Sequence, residues 1–366
     1  VLGSFAIRAA LERSGVLAEN VDEVLMGCVL PAGMGQAPAR QASLGAGIPV
    51  AADCTTVNKM CGSGMKTTML AHDLLLAETN EIMVAGGMES MTNTPYILQK
   101  ARSGQRLGHG QMTDHMFLDG LEDAFDKGTL MGVFAERTAK KYGFSREAQD
   151  EFAIRSLTRA KKAIEDGSFK NEVTPVSYKN RKEETLVELD EQPLTANIDK
   201  IPNLRPAFEK DGTVTAANSS SISDGAAALV MMRESTAKKS GFKPIARFLG
   251  HSSFAQAPEW FTTAPVGAIK GVLKTVDWNV DDVELFEINE AFAVVTMAAM
   301  NDLDLPAEKV NVHGGACALG HPVGASGTRI LVTLISALQK YGKTRGVASL
   351  CIGGGEATAM AVEVLS

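Results

Sequence analysis

Apolar positions along the chain fall into two spacings. Helical spacing marks residues 4 to 14, stopped at Gly15, and a run from Ser145 in which Ala153, Leu157, Ala160 and Ile164 share one face before Gly167. It recurs over 65–78, 266–276, beyond Asn289-Glu290-Ala291-Phe292-Ala293 to Asn301, and after Ser326-Gly327 to Lys340. Between these lie short runs that read as buried strands: 24–29, 53–57, 82–85, 226–232, 244–248, 285–288 and 346–350. Strand, helix and strand at this interval predict βαβ units and a parallel sheet. Pro31 to Gly47, rich in Gly and Ala, reads as a loop and a tightly packed helix. The pattern lapses over 92–130, which reads as an irregular excursion.

The early and late parts of the chain echo each other. Cys61-Gly62-Ser63-Gly64, helix, strand and Gly86-Gly87-Met88-Glu89 are answered by Gly324-Ala325-Ser326-Gly327, helix, strand and Gly353-Gly354-Gly355-Glu356. The interval is 22 residues from Gly64 to Gly86 and 26 from Gly327 to Gly353. A duplicated α/β unit accounts for this, and packing two such halves together places a site where their βα loops converge.

Composition narrows the function. With 366 residues, 45% hydrophobic and 22% charged, the chain is an ordinary globular one with room for two or three domains. A formal charge of −7 argues against a nucleic-acid partner. The apolar run Ala291 to Met300 is far short of the ~20 residues that span a bilayer. No leader pattern is visible. Five cysteines without a C-x-x-C pair fit a reducing compartment and argue against a disulfide framework or a structural zinc. Within this acidic chain, residues 137–182 hold twelve Lys or Arg against six Asp or Glu, which is either a set of solvated helix faces or a patch for an anionic ligand. Gly342-Lys343-Thr344 lacks the earlier glycine of a phosphate loop, and Gly45-x-Gly47 lacks the rest of a dinucleotide fingerprint.

Chemistry-bearing residues cluster in the glycine-rich turns. Cys61 sits just ahead of a helix, where free N–H groups and the helix dipole favour a nucleophilic thiolate. His321, Cys351 and Asn289 occupy similar turns. Taken singly, each has a plainer reading: Cys61 as buried packing, Asn289 as a helix N-cap, His321 as a turn residue before Pro322, and Cys351 as a strand end.

Six motifs in order change that balance: N-K-M-C-G-S-G (58–64), G-G-M-E-S-M (86–91), R-P-A-F-x-K-D-G-T-V-T-A-A-N (205–218), N-E-A-F-A (289–293), G-G-A-x-A-L-G-H-P-x-G-A-S-G (314–327) and C-I-G-G-G (351–355). Across nearly the whole chain they resemble the thiolases, which make or cleave 3-ketoacyl-CoA by Claisen chemistry. The resemblance implies duplicated βαβαβαββ halves forming a five-layered α-β-α-β-α core with an inserted loop domain. The halves are expected at 1–91 plus 223–243, without the family's usual first strand and R-T-P-x-G turn, and at 244–366; the loop domain is expected at 92–222, over the site and holding CoA.

By the same resemblance Cys61 carries the acyl group, His321 deprotonates Cys61, and Cys351 exchanges the α-proton. One oxyanion hole uses His321 and a water held by Asn289, the other the N–H groups of Cys61 and Gly353, each such donor being worth about 3–4 kcal/mol. Ser220, Met131, Leu121, Ala291 and Phe292 match positions lining the pantetheine tunnel. Phe261 stands where an acyl-pocket methionine is common, Leu130 replaces a frequent His, and no arginine stands near Gln192-Pro193-Leu194, where one often lies by the nucleotide. The expected activity is acetyl-CoA C-acetyltransferase by a ping-pong route. A degradative 3-ketoacyl-CoA thiolase for longer or dicarboxylic chains is the alternative, and a non-catalytic acyl-CoA or lipid binder is the alternative outside enzymes. A ketoacyl synthase fits less well, since that group pairs one cysteine with two histidines. CoA thioesters are expected as substrates, with no cofactor and no metal. The resemblance also implies a homotetramer, as a dimer of dimers, in the cytoplasm or in a mitochondrial matrix.

Overall fold

The computed structural model describes residues 1–365 apart from 181 and 182. The first half opens with α1 (Leu2–Ser14), β1 (Glu23–Gly27), α2 (Pro38–Gly45), β2 (Asp53–Val57), α3 (Ser63–Leu76) and β3 (Ile82–Ser90). An excursion follows. It holds β4 (Tyr96–Ile97), β5 (Thr113–Asp114), α4 (Met131–Tyr142), α5 (Arg146–Glu165), the hairpin β6 (Val176–Asn180) and β7 (Glu183–Val187), and α6 (Glu191–Thr195). The chain then returns through β8 (Asp224–Met232) and α7 (Glu234–Ser240) to the second half. That half contains β9 (Ala246–Ala255), α8 (Ala264–Val276), β10 (Leu285–Ile288), α9 (Ala293–Asp302), α10 (Ala316–Leu319), α11 (Ser326–Lys340), β11 (Arg345–Ile352) and β12 (Glu356–Val364).

Two four-stranded sheets result, in the orders β2-β1-β3-β8 and β10-β11-β12-β9. The β1–β2, β1–β3 and β10–β11 pairs are parallel, whereas β8 joins β3, and β12 joins β11 and β9, antiparallel. Alternation along each strand shows why these runs lack polar positions. Val24, Met26, Ile82 and Val84 face Ile7 and Leu11 of α1, while Leu25, Met83 and Ala85 face Ala71 and Leu75 of α3. In the second sheet Phe286, Ile288 and Val347 meet Ile269 and Val272 of α8, and Leu285, Ala348 and Leu350 meet Leu331 and Leu334 of α11. Both faces of both sheets are covered, as parallel sheets require. The layers are thus α1/α2, sheet, α3/α11, sheet and α8/α9.

The central helices approach closely because glycines line their seam. A Cβ on Gly27, Gly64 or Gly87 would press on the Gly324 carbonyl, and one on Gly327 would overlap the backbone of Met65. Thr328 Oγ1 donates to the Gly64 carbonyl across the same seam at 2.8 Å.

Several elements differ from the pattern-based reading. The excursion is partly ordered: α4 and a π-helical turn, Phe117–Leu121, occupy stretches without regular apolar spacing. β9 runs to Ala255, past the expected end at 248, and β12 lies in a stretch to which the apolar pattern gave no element. The basic stretch is largely tied down. Arg146 binds Asp150 at 2.7 Å, Lys140 binds Glu209 at 2.7 Å, and Arg159 donates to the carbonyls of Ala307, Val310 and Asn311. Those cations serve packing first; Arg181 and Lys182 lie outside the described residues.

The seam supplies a stability test. Gly87→Ala should lower the unfolding free energy by about 1–3 kcal/mol, the usual effect of overpacking, read by denaturant titration. Parental stability in that variant would contradict the seam.

Candidate active site

Cys61 lies on a turn between β2 and α3 that the sequence locks in place. Met60, just before it, takes a left-handed conformation with φ 47°. Such a backbone persists only when its surroundings over-determine it. Here Asn58 Oδ1 accepts from the Met60 N–H at 2.9 Å, the Lys59 N–H donates to Ser63 Oγ at 2.8 Å, and Ser63 Oγ donates to the Met60 carbonyl at 2.6 Å. Cys61 therefore sits immediately before Gly62, the N-cap of α3. The N–H groups of Gly353 and of Cys61 itself lower the pKa of its sulfur. Burial nevertheless dominates: it pushes the Cys61 thiol up to about 11 against these donors. The helix terminus alone thus does not deliver a resting thiolate.

His321 and Asn289 are brought together from two different loops. Both are buried, and Asn289 Nδ2 lies 3.5 Å from His321 Nδ1. Asn289 is not a helix cap, for α9 is capped at Phe292. Ser326 Oγ is 2.5 Å from His321 Nδ1 and donates its proton to the Pro322 carbonyl at 3.0 Å. A hydroxyl has one proton, so Ser326 accepts from Nδ1–H, leaving a lone pair on Nε2. That Nε2 and Asn289 Oδ1 are both buried and without a hydrogen-bond partner among the described residues. Two unsatisfied buried atoms on neighbouring side chains mark a place where a ligand or water completes the bonding. Burial, with the Arg329 charge second, pushes the His321 imidazole down to about 3, so it is neutral at pH 7. Cys61 packs on the cluster that contains Val323, two residues beyond His321.

Cys351 is the penultimate residue of β11, ahead of a three-glycine turn into β12, where Gly354 and Gly355 both have φ 94°. It is fully buried, and burial, followed by the neighbouring Cys61, pushes its thiol well above the ordinary range. A Cβ on Gly353 would approach Met131 Sδ at 3.3 Å, so this turn lies directly beside Met131. Cys351 shares an apolar cluster with Phe261, Ala291 and Phe292, against which Met131 packs. Leu121 packs on the same small cluster as Cys61. Ser220 is less free than expected, since its N–H and Oγ both donate to the Ala291 carbonyl at 3.0 Å. It holds the Asn289–Ala293 loop in place.

Two carboxylates behind the site were not singled out from the sequence. Glu89 is buried and accepts from the N–H groups of Val29, Leu30 and Gly324 at 2.9–3.1 Å, joining loops of both halves. Glu290 accepts from Ser156 Oγ, Asn311 Nδ2 and the Cys317 N–H at 2.7–3.1 Å. A carboxylate just past a glycine pair or an asparagine is the available signal, and it does not distinguish anchor from catalyst.

The high resting thiol pKa has a kinetic signature. Inactivation by iodoacetamide should accelerate steadily from pH 7 to pH 10, without a plateau. A plateau reached by pH 8 would show a stabilised resting thiolate instead. Ser326→Ala should free the His321 ring, lowering kcat about 10–100-fold with little change in KM. An unchanged kcat would remove Ser326 from any positioning role.

Comparison with known proteins agrees with this geometry. Residues 1–235 match the family model described as Thiolase, N-terminal domain, and residues 242–364 match Thiolase, C-terminal domain. An acetyl-CoA acetyltransferase of Escherichia coli K12 is 48% identical over 367 aligned residues, covering 100% of this chain and 93% of that protein. The crystal structure of the Bacillus anthracis acetyl-CoA acetyltransferase superposes with a TM-score of 0.96 at 41% identity, covering 100% of this chain and 92% of the other. The Acat5 thiolase of Ascaris suum, solved in complex with coenzyme A, superposes at 0.93 with 40% identity, covering 100% and 93%. The chain belongs to the thiolase family and is an acyltransferase.

Proposed function

We propose that the chain is an acetyl-CoA C-acetyltransferase, interconverting two acetyl-CoA with acetoacetyl-CoA and CoA through an acyl-Cys61 intermediate. The observation that carries this reading is the locked turn at Cys61 with the Gly353 N–H and Cys351 beside it, and His321, two residues before the Val323 of the cluster on which Cys61 packs, with a bare Nε2. In the cleavage direction, His321 Nε2 takes the Cys61 proton as the sulfur attacks the 3-keto carbon. The C2–C3 bond breaks, and the enolate of acetyl-CoA takes its proton from Cys351. Incoming CoA then gives its thiol proton to the Cys351 thiolate and attacks the acyl carbon. The Cys61–acyl bond breaks, and His321 returns its proton to the Cys61 sulfur. Synthesis is the reverse.

Burial suits each role. It keeps both thiols protonated at rest, and it makes the Cys351 thiolate, once formed, a strong base. The Cys61 and Gly353 N–H groups supply one oxyanion hole; His321 and Asn289, with a water between, supply the other. Met131, Leu121, Ala291, Phe292 and Ser220 form or support the walls of the acyl and pantetheine channel. CoA enters as a substrate, and the reaction as written uses no resident cofactor or metal.

A short acyl group is favoured by Phe261, which is 3% exposed and packs edge-to-face on Phe134 at 6.2 Å in the cluster holding Cys351. We also propose a dimer of dimers, on family likeness, and a cytoplasmic setting, supported by five free cysteines. No helix of the described residues is long and apolar enough to cross a membrane.

Mass spectrometry after incubation with acetyl-CoA should show an acetyl adduct on Cys61 that is absent in Cys61→Ser. Cys351→Ala should acylate normally and fail to condense. A wild-type chain with no adduct defeats the proposal. Against a panel of 3-ketoacyl-CoA substrates, acetoacetyl-CoA should lead. Phe261→Ala should shift the kcat/KM ratio toward the six-carbon substrate by about 10-fold or more; an unaltered ratio would take Phe261 out of the acyl pocket.

A further inference from the structure

A second group of ligand-type side chains lies away from the catalytic turn. His72 and Asp73 sit on α3, nine residues beyond its start at Ser63, or about 14 Å along the axis at 1.5 Å per residue. His251 comes from β9, the strand that borders β12 in the second sheet. Asp73 Oδ1 is 2.8 Å from His251 Nε2 and 3.2 Å from His72 Nδ1. One ligand atom from each of the three lies within 4.8 Å of the others. The two imidazoles meet nearly edge-on, with centroids 5.3 Å apart and an interplanar angle of 83°. Their side chains are only 15% and 19% exposed, whereas Asp73 is 53% exposed.

We propose that His72, Asp73 and His251 form a binding site for a divalent first-row cation of the zinc type. Two imidazole nitrogens and one carboxylate are the donors such an ion takes, with water in the fourth position. Zinc–ligand bonds of 2.0–2.1 Å give tetrahedral edges of about 3.4 Å, so the observed separations need only small side-chain adjustments. The hydrogen bonds now joining the three are the metal-free form. On binding, the protons that His72 Nδ1 and His251 Nε2 share with Asp73 move to the other nitrogen of each ring, so that both imidazoles ligate as neutral rings and the ion stands where those protons stood.

The elements make the site a clasp between the halves. Phe248 of β9 packs on the cluster that includes Ala71 and Leu75 of α3, so the two elements are already held together beside the three ligands. An ion shared between α3 and β9 ties the helix that follows Cys61 to the opposite sheet. Binding only to the folded chain raises its stability by mass action.

The test is a Zn²⁺ titration by calorimetry of the metal-stripped folded chain, repeated with Co²⁺ for its visible spectrum. One equivalent should bind, with tetrahedral Co²⁺ bands and no thiolate charge-transfer band. His251→Ala and His72→Ala should each weaken binding by at least about 10-fold. Saturating Zn²⁺ should raise the thermal midpoint of the wild type and not that of His251→Ala, which should keep thiolysis activity in metal-free buffer. Absence of stoichiometric binding by the folded wild type overturns the proposal. So does wild-type affinity in both variants, which would leave Asp73 and its imidazoles as a hydrogen-bonded clasp alone.

Discussion

Everything in this molecule depends on how closely α3 and α11 approach at the Gly324 carbonyl. Three glycines from the first half, Gly27, Gly64 and Gly87, leave room for that one oxygen from the second. Across the same contact Glu89 reaches from β3 to the Gly324 N–H, and Thr328 reaches back to the Gly64 carbonyl. The active site is the product of this contact. Cys61 stands at the head of one central helix, and the loop of His321 leads into the other. A methyl group in the seam moves one half against the other, and displacements of an ångström are ruinous to proton transfer and acyl capture.

The site resolves a conflict between burial and ionisation. Charge separation between a thiol and an imidazole is unfavourable in an apolar enclosure, and both groups show it: Cys61 is pushed up and His321 down. What makes the transfer feasible is a set of N–H donors and unpaired polar atoms arranged before substrate arrives. In the proposed reaction these groups bind the tetrahedral intermediate more strongly than the substrate. Stabilisation of that kind appears in the transition state and not in the ground state, which is where it accelerates the reaction.

Much of this was legible in the sequence, and the reasons for what was not are physical. Cys61, His321 and Cys351 stand in glycine-rich turns whose composition announces close backbone approach. The covered strands announced themselves as unbroken apolar runs. By contrast, β12 reads Glu-Ala-Thr-Ala-Met-Ala-Val-Glu-Val, where small residues carry little strand preference and only pairing with β11 and β9 decides the structure. The helix α4 has polar Glu136 fully buried to hold the N–H groups of Thr213 and Val214, which breaks its apolar stripe. Ser326 read only as part of the Gly-Ala-Ser-Gly approach to a helix, yet its single proton fixes which imidazole nitrogen is free. The basic stretch left solvated helix faces and a ligand patch both open, because charge counting cannot see that Arg159 is occupied by three backbone carbonyls.

The protonated resting state of Cys61 also bears on survival in an oxidising episode. Peroxide attacks thiolates far faster than thiols, so an exposed, acidic cysteine is soon carried to sulfenic acid and beyond. A thiol held up near 11 by its enclosure offers peroxide almost no anion. In the proposed reaction its nucleophilicity is released only as His321 takes the proton. On that mechanism the burial that slows the bare cysteine works as chemical selectivity, reserving its sulfur for acyl groups and withholding it from oxidants.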